Sequence, residues 1–210
     1  DLSDRQYSIG RLLDHIEEIG NSRGKVEVIV VLKSSVFIAL YNTMEATIYS
    51  VVEKIHDLAS SLEYDQLSGA YRNKMLRYSL GKRNSGLIRD ANRVNLEEIS
   101  FRDKKDKFPG LSDYLRRQSL FSGNIDARQI RVIAASYGVS RMSFSKRDAE
   151  KMLWIKNKRN KIAHGEQSMS DGGKGIKTDE LHAASQSIDI ILRTFIAEVG
   201  NHLRDGQYRA

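Results

Sequence analysis

The sequence predicts an all-α protein, on three observations. One proline, Pro109, occurs in 210 residues, so little interrupts the N–H ladder that helices need. Apolar residues recur at three- and four-residue spacing, and few stretches show the alternation of a half-buried strand. With 40% hydrophobic residues the chain can bury one substantial core, and a single helical domain over residues 1–210 is the expectation.

Helices are expected at about 4–19, 26–61, 65–79, 86–98, 111–119, 126–137, 146–164 and 178–203. Between the first two, Asn21-Ser22-Arg23-Gly24 reads as a connection, and Arg102 to Gly110, which holds Pro109, as another. The early long helix opens on the most apolar stretch, Val26 to Leu40, but Glu27, Lys33, Ser34 and Ser35 interrupt it before it could span a bilayer. It is expected to be a core helix, with no membrane partner. The helix at 146–164 has no Gly or Pro, carries Ala149, Met152, Leu153, Ile155 and Ile162 mostly at helical spacing, and stops at Gly165, which suits a left-handed C-cap. Trp154 on it reads as core or dimer interface. Gly165 to Lys177 is a polar loop with four glycines. Its Gly172-Gly173-Lys174-Gly175 lacks the first-glycine spacing, the Ser or Thr after Lys and the preceding strand of a phosphate loop. A flexible linker able to close over a bound ligand is the expectation there, with Thr178 capping the last helix and Asp179 and Glu180 in its first turn.

The chain has no cysteine, so disulfides and thiolate metal sites are excluded. A cytoplasmic location is the corresponding expectation, and no signal peptide or lipidation pattern is visible. His15, His56, His164, His182 and His202 show no paired ligand spacing. No metal and no cofactor are expected.

Charge is uneven. Residues 1–70 hold 6 basic and 11 acidic side chains, and residues 71–210 hold 28 and 16. The basic segment 71–107 includes Arg72, Lys74, Arg77, Lys82, Arg83, Arg89, Arg93, Arg102, Lys104, Lys105 and Lys107, with Tyr71, Tyr78 and Phe101 as candidate stacking groups. An RNA backbone is the natural partner of such a field. Arg72, Lys74, Arg77, Lys82, Arg83 and Arg89, with Lys158 and Lys161 beside the motif described next, are the candidate RNA-binding residues. The bland alternative for each is a solvated surface charge.

The most informative run is Lys158-Arg159-Asn160-Lys161-Ile162-Ala163-His164-Gly165. On a helix, Lys156, Asn160 and His164 lie along one stripe, with Arg159 one residue round the cylinder, so all four edge one surface. Histidine gives and takes protons near neutrality, and arginine offers a fixed fork of donors that fits a phosphate. Metal-free RNA cleavage needs such groups: the 2′-hydroxyl loses a proton as it attacks phosphorus, charge builds on the phosphoryl oxygens, and the 5′-oxygen leaves. One His and one Arg cover part of this, and a two-fold partner would supply a second set.

Arg159-Asn160, three residues, then His164 at a helix end resembles the Arg-polar-x-x-x-His motif of the HEPN superfamily. Two further segments resemble its bacterial defence and toxin–antitoxin branch: Leu40-Tyr41-Asn42-Thr43-Met44-Glu45-Ala46, and Gly123-Asn124-Ile125-Asp126-Ala127-Arg128-Gln129-Ile130-Arg131 followed by Tyr137-Gly138-Val139. The resemblance implies a HEPN-like helical bundle, a homodimer with a composite cleft and metal-independent endoribonuclease activity. It further implies Arg159 and His164 as catalytic residues, Asn160 as their polar companion, and a toxin or defence role with an antitoxin or other defence protein as partner. Glu45 is either a buried partner for Arg159 or a solvent-facing residue, and Lys156 a supporting cation. Some toxins of this kind carry a modifiable tyrosine two residues after the histidine; Glu166 stands there in this chain. The competing expectation is a non-catalytic HEPN-like dimerisation or RNA- or nucleotide-binding module.

Overall fold

A computed structural model describes residues 1–20, 24–80, 107–121, 124–140 and 142–210. Among them are eight α-helices: α1 (Leu2–Gly20), α2 (Val26–Ala59), α3 (Gly69–Leu80), α4 (Leu111–Arg117), α5 (Ala127–Ser136), α6 (Lys146–Ala163), α7 (Met169–Gly173) and α8 (Thr178–Arg204), with a 3₁₀ turn at Tyr64–Gln66. No strand occurs among the described residues, only isolated bridges pairing Glu63 with Lys107 and Leu67 with Arg209. The all-α expectation holds. The helix expected at 86–98 lies outside the described residues.

The chain divides into two compact units, Asp1–Tyr49 with Gly123–Ile130 and Ser143–Ile196, and Ser50–Ser122 with Arg131–Met142 and Ala197–Ala210. In the first, α2 supplies Val36, Phe37, Leu40, Tyr41, Met44 and Ile48, all fully buried. Helix α1 adds Ile9, Leu13 and Ile16, α6 adds Met152 and Ile155, and α8 adds Leu181, Ile188, Ile191, Leu192 and Phe195. Their three- and four-residue spacing puts each set on one helix face, and each large aliphatic or Phe side chain buried contributes about 1.5–3 kcal/mol. Among the described residues α2 is the one helix long and apolar enough to cross a bilayer; here most of its large apolar residues from Val36 onward are buried as core, with Tyr49 and Leu58 exposed. The half-buried Trp154 meets Phe37 edge-on, ring centroids 5.0 Å apart. Polar ties join the α1 and α8 surfaces: Gln6 accepts from the Ser185 hydroxyl (2.9 Å), and Glu17 lies 3.1 Å from His182.

The loop after His164 departs from the expected flexible linker. It contains α7, packed on α2. The Ser34 hydroxyl donates to the Met169 carbonyl (2.5 Å), Lys33 to that of Ile176 (2.6 Å), and Lys158 to that of Gly172 (3.3 Å). A Cβ on Gly173 would lie 1.9 Å from the Val30 carbonyl oxygen, and one on Gly172 2.7 Å from the Ser34 hydroxyl. These glycines permit a close approach. Helix α8 starts as expected near Thr178, although its first-turn contact is the Glu180 carboxylate accepting from the Lys177 N–H (3.0 Å).

The second unit centres on His56. Its Nδ1–H donates to the Pro109 carbonyl (2.8 Å), so the neutral ring accepts the Tyr137 hydroxyl at Nε2 (2.7 Å). Phe108, Tyr114 and Tyr137 pack round the ring, and burial, helped by the charge of Lys74, lowers its pKa to about 4. Lys74 has its ammonium 3.7 Å from the Tyr137 ring centroid and is 8% exposed. Burial first, then Arg77, lowers its pKa to about 7. The face of α3 explains this placement: Tyr71, Lys74 and Met75 are buried and Tyr78 half-buried, the 0, 3, 4, 7 register of an inward face.

Candidate functional site

The motif run, the segment Leu40 to Ala46 and residues 124–130 of the third resemblance segment meet in the first unit, whereas Arg131 and Tyr137-Gly138-Val139 fall in the second. Helix α6 begins at Ser145, whose hydroxyl accepts the Asp148 N–H (3.1 Å), and ends at His164, whose N–H donates to the Asn160 carbonyl (2.9 Å). Gly165 follows with φ 74°, the left-handed conformation expected of it, and the Gln167 N–H closes on the Lys161 carbonyl (3.1 Å). The imidazole of His164 is thus presented, exposed, at the helix end.

Arg159 is half-buried, with its guanidinium carbon 4.2 Å from the ring centroid of Tyr41 on α2. One Nη1–H donates to Asn160 Oδ1 (3.1 Å), and Asn160 Nδ2 donates in turn to Asn124 Oδ1 (2.7 Å). Among the described residues Arg159 makes no ion pair, which leaves its charge for an external anion. Tyr41 is itself fixed. Its hydroxyl accepts the Ile125 N–H (3.1 Å) and donates to the Glu45 carboxylate. Burial raises the Tyr41 pKa, Glu45 adds to the rise, and the Ile125 N–H and Arg159 oppose it. The phenol stays neutral and presents an electron-rich face to the cation. Glu45 is half-buried, and its link to Arg159 runs through Tyr41.

One turn before Asn160, the Lys156 ammonium lies 2.7 Å from Asp126 Oδ2, with side chains 15% and 21% exposed. Asp126 also caps α5, accepting the Gln129 N–H at Oδ1 (2.9 Å). Burial pushes its carboxyl pKa up, but the hydrogen bonds and charge of Lys156, with the backbone N–H groups of Gln129 and Arg128, hold it below the usual carboxylate range. Residues 124–126 are thereby clamped to α6. Lys156 is a structural ion-pair partner of that clamp.

The candidate RNA-binding cations fare differently. Lys74 is corrected: it is buried under aromatic rings and offers no surface charge, and Tyr71, also buried, is no stacking platform. Arg72 is half-buried and donates to the carbonyls of Tyr64 (3.2 Å) and Asp65 (2.6 Å). Tyr78 is half-buried and stacks with Tyr114, with Arg117 over its ring. Lys158 holds α7 through the Gly172 carbonyl. Arg77, Lys107 and Lys161 are exposed. Lys82, Arg83, Arg89, Arg93, Arg102, Lys104, Lys105 and Phe101 lie outside the described residues. Among the described residues no group of three His, Asp or Glu side chains is placed to hold a metal ion.

The sequence places Tyr41, Asn124 and Asp126 in the segments of family resemblance but assigns none of them a role at the site. Tyr41 and Glu45 are four apart on one helix, and Asp126 precedes Gln129 at the spacing of a helix cap, so the local signal was present. What joins them to Arg159 is tertiary. A family model described as HEPN_MAE_28990-like HEPN matches residues 1–208 of the chain. No curated protein and no solved structure matches it.

Proposed function

The chain belongs to this HEPN family, and on that premise we propose that it is a metal-independent endoribonuclease acting as a toxin or defence effector. The observation that carries the reading is the motif geometry: an Arg159 guanidinium held in a polar network with no ion pair among the described residues, and an exposed His164 at the end of the same helix.

In the proposed reaction a neutral imidazole takes the proton of a ribose 2′-hydroxyl. The freed oxygen bonds to the adjacent phosphorus, and the bond from phosphorus to the 5′-oxygen breaks. An imidazolium protonates the leaving oxygen. The products are a 2′,3′-cyclic phosphate and a 5′-hydroxyl. Arg159 stabilises the charge that builds on the phosphoryl oxygens, using N–H donors beyond the one given to Asn160. Two imidazoles serve this reaction best. In a homodimer whose two-fold axis passes near the end of α6, His164 of one copy acts as base and that of the other as acid. Lys161, exposed in the last turn of α6, and Arg77 are left as the described candidates for backbone phosphate contacts.

The test is incubation of wild type, Arg159→Ala and His164→Ala protein with total RNA in excess EDTA, with the fragment ends mapped. Cleavage by wild type alone, leaving cyclic-phosphate ends, is the expected result, with a loss of at least about 10²-fold in each variant. Absence of cleavage by a folded wild-type dimer across several RNA classes favours the non-catalytic dimerisation or binding module.

A further inference from the structure

We propose that Tyr41 and Asn124 are positioning residues for Arg159, forming a two-sided cradle that sets which edge of its guanidinium faces the scissile phosphate; this rests on the nuclease reading above. The ring of Tyr41 supports one face of the guanidinium at 4.2 Å. Asn124, through Asn160, fixes one Nη1–H at its edge. A flat cation supported on a face and at one edge has lost its rotation about the last side-chain bonds. The donors left are those on the remaining edges, and a guanidinium has five in all.

Each half of the cradle is secured from a different part of the chain. Tyr41 is fully buried on α2, its hydroxyl bound to the Ile125 N–H and Glu45. Asn124 stands two residues before Asp126, which is pinned to α6 by Lys156 and to α5 by its cap. The turn at residues 124–126 therefore closes both sides: Asn124 holds the edge and Ile125 holds the tyrosine beneath. Arginine on a flexible stem would otherwise have to be ordered by the substrate, at a cost in rate.

The experiment pairs cleavage kinetics with NMR. Tyr41→Leu removes the platform, and we expect kcat to fall roughly 10- to 10²-fold with KM changed by less than about 3-fold. Tyr41→Phe keeps the ring and recovers most of that loss. Asn124→Ala lowers kcat by about 10-fold. In an Arg159→Lys background, where the planar fork is gone, Tyr41→Leu adds little further loss, whereas a merely structural tyrosine would cost the same in both backgrounds. The second readout does not need activity. The guanidinium signals of Arg159, assigned by their loss in Arg159→Lys, should be ring-shifted in wild type and Tyr41→Phe and unshifted in Tyr41→Leu.

Wild-type cleavage with Tyr41→Leu and Asn124→Ala equally active overturns the positioning role and leaves the nuclease reading standing. Identical Arg159 signals in wild type and Tyr41→Leu overturn the cradle whether or not RNA is cut. A wild type that cuts no RNA defeats the nuclease reading, while ring-shifted signals would still uphold the Tyr41 platform.

Discussion

Of the cations that lie over tyrosine rings, Arg159 in the first unit and Lys74 in the second have surroundings that use the same contact in opposite ways. Arg159 sits 4.2 Å from Tyr41, half-buried, with a hydrogen-bonded edge. Lys74 sits 3.7 Å from Tyr137, 8% exposed, with Tyr114 as a second ring at 5.4 Å and no ion pair among the described residues. Arginine cannot shed its charge at any pH that a protein survives, whereas a buried lysine can. The first unit thus holds a permanent cation toward solvent. The second stores one that burial turns into a proton donor near neutrality. Ring contact alone says nothing about function; exposure and the pKa of the cation decide.

The largest effect that would break this comparison lies at Lys74. Its pKa is near 10.5 when unfolded and about 7 in the fold, so the unfolded chain binds more protons between those values and stability rises with pH across that window. At pH 7 and below the full penalty, on the order of 3–5 kcal/mol, is present. Lys74→Met should raise the urea midpoint at pH 7, with the gain fading toward pH 10.5. An unchanged midpoint would mean that the ammonium is solvated and the contrast with Arg159 is false.

Next comes His56. Its pKa falls from 6.5 to about 4 in the fold, so the stability of the neutral ring is intact above pH 6.5 and lost progressively as pH falls to 4, to the extent of about 3 kcal/mol. His56→Gln, which can still donate to Pro109 and accept from Tyr137, should flatten that acid limb in a pH series of denaturation midpoints. A limb of the same depth in the variant would assign it to other groups.

The smallest effect sharpens the first unit. Asp126→Asn retains an oxygen to cap α5 but loses the ion pair with Lys156. Since the Asp126 pKa is lowered, its contribution is present above the ordinary carboxylate range and lost as pH falls through the lowered value. A destabilisation of about 1 kcal/mol is expected at pH 7, vanishing in strong acid, as read by urea denaturation at both pH values.

How much of this was legible in the sequence differs with the range of the interaction. The long helices followed from apolar spacing, and the end of α6 from Gly165, because those signals are local. Helix α7 was missed because Gly172 and Gly173 disfavour a helix by propensity, while the reason for them is the Val30 backbone a long way back in the chain. Lys74 was misplaced because the charges of residues 71–107 were counted as a segment, although the spacing of Tyr71, Lys74, Met75 and Tyr78 already put it on the inward face of α3. The motif residues Arg159, Asn160 and His164 were visible. Their support was not, since a ring–cation contact between α2 and α6 leaves no mark in either segment alone.

The docking of α7 bears on how this protein can be altered by evolution or by hand. Gly173 leaves no room for a side chain against α2, and Lys33, Ser34 and Lys158 grip the carbonyls around it. The stretch behind the motif histidine therefore has a fixed length at its far end. Extra residues, a peptide tag or a cleavage sequence do not belong in this stretch, because an insertion beside Gly173 would pull four anchors out of register at once and one beside Gly165 would open the bond from the Gln167 N–H to the Lys161 carbonyl.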